Sequence, residues 1–579
     1  MGVAQRMKNA EVADAFDELG ILYELDGAVV HRVVAYRNAA KSIREAGVSV
    51  AEMAAQGRAQ ELSGVGKTIA EKIDALIADG EIPAARKLKQ RIPEGLVQVT
   101  RVPGLGPKRT RQLHAELGIG SLEELRQAAE QGRLTDAPGF GAKAQEKVLA
   151  ALAVGAGEAP TARTLLSTAL EVGEELVAGL RAHDPSIEVE LAGSARRHAD
   201  SCKDLDIVVA ASDPEALLAA FAVLDPIDEV TSTGSAGAKA VTHQGLPVDL
   251  RIVPRESFGN LLQHFTGSGR HNEALRKEAV RRGLHVSEYG VLDDANGETA
   301  AFRTEEEVYA ALGMPCIPPE LRENRGELEA ARKGDLPKLV RLGDIRGDLH
   351  MHTTASDGRN TILEMARAAK ERGYGYIAIT DHSASHGFGN GVATEDLKIQ
   401  IEKVAKANAK LDGIEILAGS EVNVLPDGSL DYADDLLDEL DWVVASLHTS
   451  FSQTERELTE RMIRAIEHPA VDAIGHPTGR LIARREPYPL DIDAVIEAAA
   501  RTGTLLEINA NPNRRDLDDS YARAAARGGV KLVVDSDAHG AERLGNMRFG
   551  LATARRAWLE KDDVANTRTL AQLRQLRKR

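Results

Sequence analysis

Seven times between Arg346 and His539 the chain presents an apolar run that closes on polar residues: RGDLHMHT, YIAITDHS, IEILAGSEV, WVVASLH, DAIGHP, LLEINA and KLVVDSDAH. Amphipathic helical patterns separate these runs, and such strand-helix alternation folds with the strands parallel and the helices packed outside them. Six of the seven runs end in a histidine, aspartate or glutamate. A parallel barrel brings its strand C-termini to one rim, so the pattern gathers residues distant in sequence onto one surface. The gathered set is His350, His352, Asp357, His382, Glu421, His448, His476, Asp537 and His539. Imidazoles and carboxylates without a thiolate suit Zn²⁺, Mn²⁺ or Fe²⁺ better than Mg²⁺, which prefers oxygen alone. Several such ions would hold a phosphate and activate a water to attack phosphorus, so a metal-dependent phosphoesterase is expected. His386 and His468 are assigned to the surface or to helix capping. Arg514 and Arg515, after the sixth run, are placed against substrate phosphates or in a solvated loop.

A chain of 579 residues exceeds one core, so several domains are expected. No run approaches eighteen uncharged apolar residues, and acidic residues sit where a secretory signal needs its apolar stretch, which argues against membrane spans and export. The two cysteines, Cys202 and Cys316, match no zinc or disulfide spacing and point to a reducing, cytoplasmic compartment. A net charge of −17 argues against a nucleic-acid partner overall, yet it fails locally. Between Ile82 and Ala115, Arg86, Lys87, Lys89, Arg91, Arg101, Lys108, Arg109 and Arg111 face only Glu94. Around this stretch LSGVGKTIAEKI, VPGLGPKRTRQL and APGFGAKAQEKV repeat one plan: an apolar residue, Gly-x-Gly, then a helix start. Paired glycines let backbone N–H groups approach an anion, which suits a phosphate backbone read without regard to sequence. The repeats resemble the helix-hairpin-helix DNA-binding motif, with Gly64, Gly66, Lys67, Gly104, Gly106, Lys108 and Arg109 as its DNA-binding set; the third copy, with Lys143 and Lys147, is the more architectural.

In the middle of the chain, Asp204 and Asp206 of KDLDIVV stand two apart, so in a strand both face one side while Leu205 and Ile207 face the other. PVDLRIV adds Asp249 with the same alternation. Three carboxylates on one sheet face repel unless cations neutralise them, as two-metal phosphoryl transfer requires. Upstream, Gly193 and Ser194 of LAGSARR open a turn into a helix, where N–H groups and Arg197 are placed to hold a triphosphate.

GSARR, DLD, VDLRIV and FGNLLQHFTGSGRHNEALRKEA together resemble the family X DNA polymerases. The resemblance implies that Asp204, Asp206 and Asp249 are catalytic and hold two Mg²⁺ or Mn²⁺ ions, that Asn272 and Arg276 face the nucleotide and template, and that Phe265 with Gly267 lines the sugar. His264 and His198 replace the family's usual Tyr and Gly. HRVVAYRNAAKSI with LSGVGKTIAEKI is similar to the polymerase beta lyase domain, which implies Lys72 as a Schiff-base nucleophile; Glu61 and Thr68 replace basic residues of its phosphate pocket. The strand-end residues resemble those of the polymerase and histidinol phosphatase (PHP) domain. That likeness implies about three Zn²⁺ or Mn²⁺ ions: one on His350, His352, Glu421 and Asp537, one on Glu421, His448 and His476, and one on Asp357, His382 and His539.

The expected fold is therefore multidomain: an all-α helix-hairpin-helix region, an α+β nucleotidyltransferase palm with a thumb, and a C-terminal distorted (β/α)7 barrel. Its parts are a lyase-like domain at 1–85, a fingers-like domain at 86–157, a palm at 158–255, a thumb at 256–317, a charged linker at 318–342 and a PHP barrel at 343–579. The resemblances imply a repair polymerase that fills gaps in base excision repair, acting on gapped or primer-template DNA with dNTPs. They also imply a 3′–5′ exonuclease, with cleavage at abasic sites and 5′-deoxyribose-phosphate lyase activity as further options. A monomer is expected. The alternatives are a small-molecule phosphomonoesterase of the histidinol phosphatase kind and a DNA-binding scaffold with weak polymerase activity. The basic C-terminal run, Arg568, Arg574, Arg577, Lys578 and Arg579, is assigned to DNA contact or to solvent.

Overall fold

The computed structural model describes residues 7–153, 163–387 and 389–578. The expected boundary between residues 157 and 158, and Arg579 of the basic run, lie outside the described residues. No described helix is long and apolar enough to cross a membrane. The chain divides into two compact units, one of Met1–Thr164, Glu171–Val189 and Lys203–Ile252, the other of Leu165–Leu170, Glu190–Cys202 and Val253–Arg579.

The first unit begins all-α. Its three repeats share one geometry: Gly64, Gly104 and Gly139 take left-handed φ of 77°, 87° and 79°, and helices begin at Lys67, Pro107 and Ala142 just after the second glycine of each copy. A side chain at the first glycine would be strained, which is why the motif spells Gly there. The basic stretch is less naked than its sequence suggests. Arg86 pairs with Glu81, Lys89 with Glu18 and Arg91 with Asp26, acids from neighbouring segments and other helices. The palm strands lie in the order Glu188–Leu191, Leu205–Ala210, Pro247–Val253, Gly237–Thr242, Ile227–Gly234. Leu205 and Ile207 are fully buried while Asp204 and Asp206 are half-exposed, the alternation expected of a strand with one covered face.

The second unit contains the helices Phe258–Thr266 and Gly269–Val280 and a seven-stranded parallel sheet. The strands, Gly347–Asp348, Tyr376–Ile379, Glu415–Asn423, Trp442–Ser446, Ala473–Ile474, Leu505–Asn509 and Leu532–Asp535, pair in sequence order. A parallel bridge from Met351 to Ala538 joins the first segment to the last. Period-two alternation decides what lies inside. Tyr376, Ala378, Leu417, Trp442, Val444, Leu505 and Val533 form an inner core, while Ile377, Ile379, Val443, Ala445, Leu506 and Val534 pack on the outer helices. Continued along the same parity, the inner rows reach His382, Glu421, His448 and Asp537. Thr361 with Glu364 and Thr454 with Glu457 form reciprocal capping boxes that start two of the covering helices.

The segment 318–342, expected as a charged linker, is packed: Glu320, Arg322 and Glu327 are buried, Arg322 pairs with Glu305, and Glu327 Oε1 lies 2.6 Å from His271 Nδ1. One expectation is corrected: the C-terminal basic run, assigned to DNA or solvent, binds the barrel, Arg577 pairing with Asp472 at 2.9 Å, Arg574 with Glu415, and Lys578 donating to the carbonyls of Ile466 and His468.

Candidate functional site

All nine strand-end residues converge at the barrel rim. Glu421 is the hub. Its Oε2 lies 3.3 Å from His350 Nε2, 3.6 Å from His352 Nε2 and 2.8 Å from His382 Nδ1, and its Oε1 lies 3.1 Å from His448 Nε2 and 2.9 Å from His476 Nε2. Asp537 Oδ1 approaches His352 Nε2 at 3.2 Å, and Asp357 approaches His539 at 3.2 Å and His382 at 3.7 Å. Three groups have ligand atoms within 4.8 Å of one another: His352, Asp357, His382 and His539; His350, His352 and Asp537; His382, Glu421 and His448. His350 Nε2, both ring nitrogens of His352 and His382 Nδ1 are buried without an aligned hydrogen bond. Buried imidazole nitrogens crowded around carboxylate oxygens without aligned hydrogen bonds are what a cation needs, and the donor set fits divalent metal. Two of the nine sit on left-handed backbone, His476 at φ 30° and Asp537 at φ 50°, a strained conformation that persists only where surrounding packing enforces it.

Electrostatics divide the imidazoles. Burial, with His382 and His539 alongside, pushes His352 down to about 4, and burial brings His448 to about 4. For His539, burial is outweighed by its bond to Asp357 and by Asp537, which raise it to about 9. Burial opposes ionisation of Glu421, yet His448, His382 and His350 together hold it well below the usual carboxylate range. Carboxylates and imidazoles thus balance one another in place.

The sequence reading missed the groups that aim these ligands. LLEINA was the one run without a strand-end ligand, and it supplies Glu507 and Asn509. Glu507 Oε1 accepts from His350 Nδ1 at 2.6 Å, its Oε2 accepts from the His476 N–H, and Asn509 Nδ2 donates to Asp537 Oδ2 at 3.1 Å. The signal was present, since both lie on the inward parity of that strand. Asp381, just before His382, is also buried and accepts from Thr353, Ser356 and Gln400. His386 is corrected: it is buried, with its ring 4.5 Å from that of His382. His468 does lie at a helix end, accepting from Ala470 N–H. Arg515 is corrected too. It is fully buried, donating to the His198 carbonyl at 3.0 Å and pairing with Asp200 at 3.1 Å, so it braces the turn after Gly193 instead of meeting solvent or substrate.

That turn begins with Gly193 at φ 58° and a short helix, Gly193–Arg196, containing Ser194. Arg197, expected on a triphosphate, is engaged here by Glu323 at 2.9 Å and by the Thr266 carbonyl. His198 keeps the left-handed φ of 55° that a glycine would favour. Asn272 lies inward, donating to the carbonyls of His264 and Gly267, while Arg276 is exposed and Phe265 half-buried. A Cβ on Gly267 would come within 2.3 Å of Asn272 Oδ1, so this tight corner excludes larger residues.

In the first unit, Asp206 and Asp249 stand on neighbouring strands with Asp204 just before the first, all half-exposed, and Asp249 is held by Arg251 at 2.8 Å. Among the described residues they do not form one of the converging groups. Gly66, Gly104 and Gly106 meet nothing within 4 Å of a built Cβ, and Lys67, Lys108 and Arg109 are exposed beside them, Arg109 also donating to the Gly104 carbonyl. Gly64 approaches Ser42. Lys72 lines a groove of about 490 Å³ with Tyr23, Lys87 and Arg91, its Nζ 5.9 Å from the Tyr36 ring centre.

Family profiles match at residues 7–82 (helix-hairpin-helix domain), 97–153 (SAM-like helix-hairpin-helix tandem), 261–323 (DNA polymerase beta thumb) and 348–511 (PHP domain). The DNA polymerase/3′-5′ exonuclease PolX of Bacillus subtilis (strain 168) is 40% identical over 575 residues, covering 99% of this chain and all of that protein. Probable phosphatases of Thermoanaerobacter sp. (strain X514) and Shewanella oneidensis are 35% and 34% identical over 38% and 39% of this chain, spanning 89% of each relative.

Proposed function

Because the chain belongs to the family X DNA polymerases that carry a C-terminal PHP domain, we propose that it is a DNA-directed DNA polymerase and 3′–5′ exonuclease that fills gaps in base excision repair. The observation that carries this reading is the end-to-end match to such an enzyme of a chain whose barrel rim gathers eight imidazoles and carboxylates into groups with ligand atoms within 4.8 Å of one another. Divalent metal use follows from both domains. Two Mg²⁺ or Mn²⁺ on Asp204, Asp206 and Asp249, and about three Zn²⁺ or Mn²⁺ on the barrel set, are our assignment. Bound there, such ions supply Lewis-acid stabilisation of phosphorus chemistry.

The protein's own part is positional. The palm alternation turns all three acids to one face while hydrophobic neighbours anchor the strands, and Arg251 holds Asp249 until cations compete for it. Gly267 allows the corner that carries Phe265 to be tight, and exposed Arg276 is available to a template. In the barrel, Glu507 and Asn509 fix the orientation of His350 and Asp537, and Asp381 clamps the loop after His352. The helix-hairpin-helix glycines leave backbone N–H groups accessible to phosphates, with Lys67, Lys108 and Arg109 beside them. Lys72 in its basic groove is our candidate lyase nucleophile. Gapped or primer-template duplex and dNTPs are the substrates, a monomer the working unit, and the cytoplasm, where Cys202 and Cys316 stay reduced, the compartment. The six-part domain division is retained with 318–342 as packed structure.

One labelled gapped duplex, with and without dNTPs, tests the assignment. Asp206→Ala should still shorten the primer and His352→Ala should still lengthen it, each losing the other activity by on the order of a hundred- to a thousandfold. Loss of both activities in either folded variant would refute separate sites. Rapid turnover of histidinol phosphate without DNA preference would favour the phosphomonoesterase alternative.

A further inference from the structure

The turn that carries Gly193, Ser194 and Arg197 is gripped by side chains of the barrel, all within one of the two compact units. Arg515 Nη2 donates to the His198 carbonyl at 3.0 Å, and Arg556 Nη1 donates to the Arg197 carbonyl at 2.9 Å. Asp200, two residues further on, meets Arg515 Nη1 at 3.1 Å and Arg480 Nη1 at 2.8 Å. Arg480 follows the fifth barrel strand, Arg515 follows the sixth, and Arg556 ends the helix Met547–Arg556 after the seventh. Each of the two carbonyl-binding guanidiniums is also anchored on its own side. Arg515 Nε donates to Thr553 Oγ1 at 2.9 Å, and Arg556 Nε pairs with Asp519 at 2.9 Å. A planar fork fixed at one nitrogen presents its others in a set direction, so these side chains act as struts.

Two features of the turn give the struts something to do. Its backbone is left-handed at both ends, with Gly193 at φ 58° and His198 at φ 55°, and a histidine keeps that conformation only where its surroundings enforce it. Arg515 and Arg556 fasten the carbonyls on either side of the peptide that enters His198 and leaves it. The second feature is Arg197 itself. Glu323 Oε1 is shared, lying 2.9 Å from Arg197 Nε and 2.9 Å from Arg556 Nη1. An enclosed carboxylate resists losing its only cation. With Arg556 in place, Glu323 keeps one when Arg197 swings away to a phosphate.

We infer that Arg515 and Arg556, side chains of the phosphoesterase barrel, are positioning residues for nucleotide addition. They hold the triphosphate turn in its binding shape, and Arg556 also leaves Glu323 neutralised so that Arg197 is free to meet the nucleotide. Neither touches the substrate. The inference rests on the polymerase reading above, which assigns the turn and Arg197 to the triphosphate. The barrel thereby supports a reaction that it does not perform.

The test is single-turnover addition of one dNTP to a gapped duplex by the full-length chain with Mg²⁺, which reads nucleotide Kd and maximal rate separately. Arg515→Met and Arg556→Met should each raise the Kd about tenfold while the rate stays within about twofold, because ground state and transition state lose the same triphosphate contacts. Arg515→Lys should recover part of the affinity, since it keeps the charge for Asp200 but not the fork. Should Arg515→Met fail to fold, Asp200→Asn, made on the turn at a side chain 35% exposed, should raise the Kd at an unmoved rate. Glu323→Gln should lower the Kd, since it releases Arg197. Primer shortening with Mn²⁺ by the same proteins should match the parent. An unmoved Kd in the folded variants, or a rise in Glu323→Gln equal to that in Arg556→Met, overturns the proposal; so does a parallel fall of addition rate and primer shortening at constant Kd, which is what packing alone produces. A wild-type chain that adds no nucleotide removes the polymerase reading itself, and the inference with it.

Discussion

The two acid clusters of this protein solve the same electrostatic problem in opposite ways. At the barrel rim, Glu421 and Asp537 are buried, yet they gather within a few ångströms of five or more imidazoles. On the palm, Asp204, Asp206 and Asp249 are half-exposed, with Arg251 on Asp249. Mixed donors compensate one another and can be assembled in advance; a set of carboxylates alone repels and stays in contact with solvent. Pre-assembly is therefore a property of ligand chemistry, and burial follows from it.

That contrast can be broken in four ways. The largest effect is expected from chelation. Excess EDTA added to a running reaction should stop nucleotide addition at once, whereas primer shortening should decay slowly because its ligands are enclosed. Simultaneous loss in a stopped time course would show that burial does not govern exchange. Next, Glu421→Ala in metal-free protein should cost about 3 kcal/mol in a denaturant titration, because it strands buried imidazoles. Asp206→Asn should change stability by less than about 0.5 kcal/mol or raise it. Equal losses would erase the distinction.

A smaller effect is expected at the positioning residue Glu507. Glu507→Gln should weaken barrel metal affinity, read with a competing chelator dye, by about ten- to a hundredfold while leaving gap filling intact. An unchanged affinity would reduce Glu507 to packing. The smallest concerns His198, whose imidazole is held at about 4 by burial, with Arg515, Arg555 and Arg556 opposing protonation beyond what Glu320 restores. A histidine with a folded value below its ordinary 6.5 contributes stability that is whole above about 6.5 and lost as pH falls through about 4. His198→Gly should therefore lose about 1 kcal/mol less than the parent between pH 7 and pH 4 in urea midpoints. It should also be no less stable at pH 7, since glycine accepts the left-handed φ. A variant that tracks the parent across this range would mean that His198 is already solvated.

Much of the barrel site was legible because it is written in local periodicity. A strand puts alternate residues on one face, so His382, Glu421, His448 and Asp537 could be placed on one rim from their offsets alone. The repeated Gly-x-Gly likewise announces a left-handed turn wherever it occurs. What could not be read depends on a partner. Arg515 resembles any loop arginine until Asp200 and the His198 carbonyl appear beside it. Glu327 resembles a helix-surface acid until His271 is found 2.6 Å away. The run Arg574 to Lys578 looks like a tail for DNA until Glu415 and Asp472 claim it.

From its residues alone, this chain determined which chemistries it offers and on which face of each strand or turn they stand, because those depend on backbone repeats of two to four residues. Tertiary structure decided which charges are neutralised and which acid aims which imidazole. Those outcomes depend on distances between residues hundreds of positions apart, and Coulomb energy and hydrogen bonding respond to distance and burial, neither of which a linear order of residues contains.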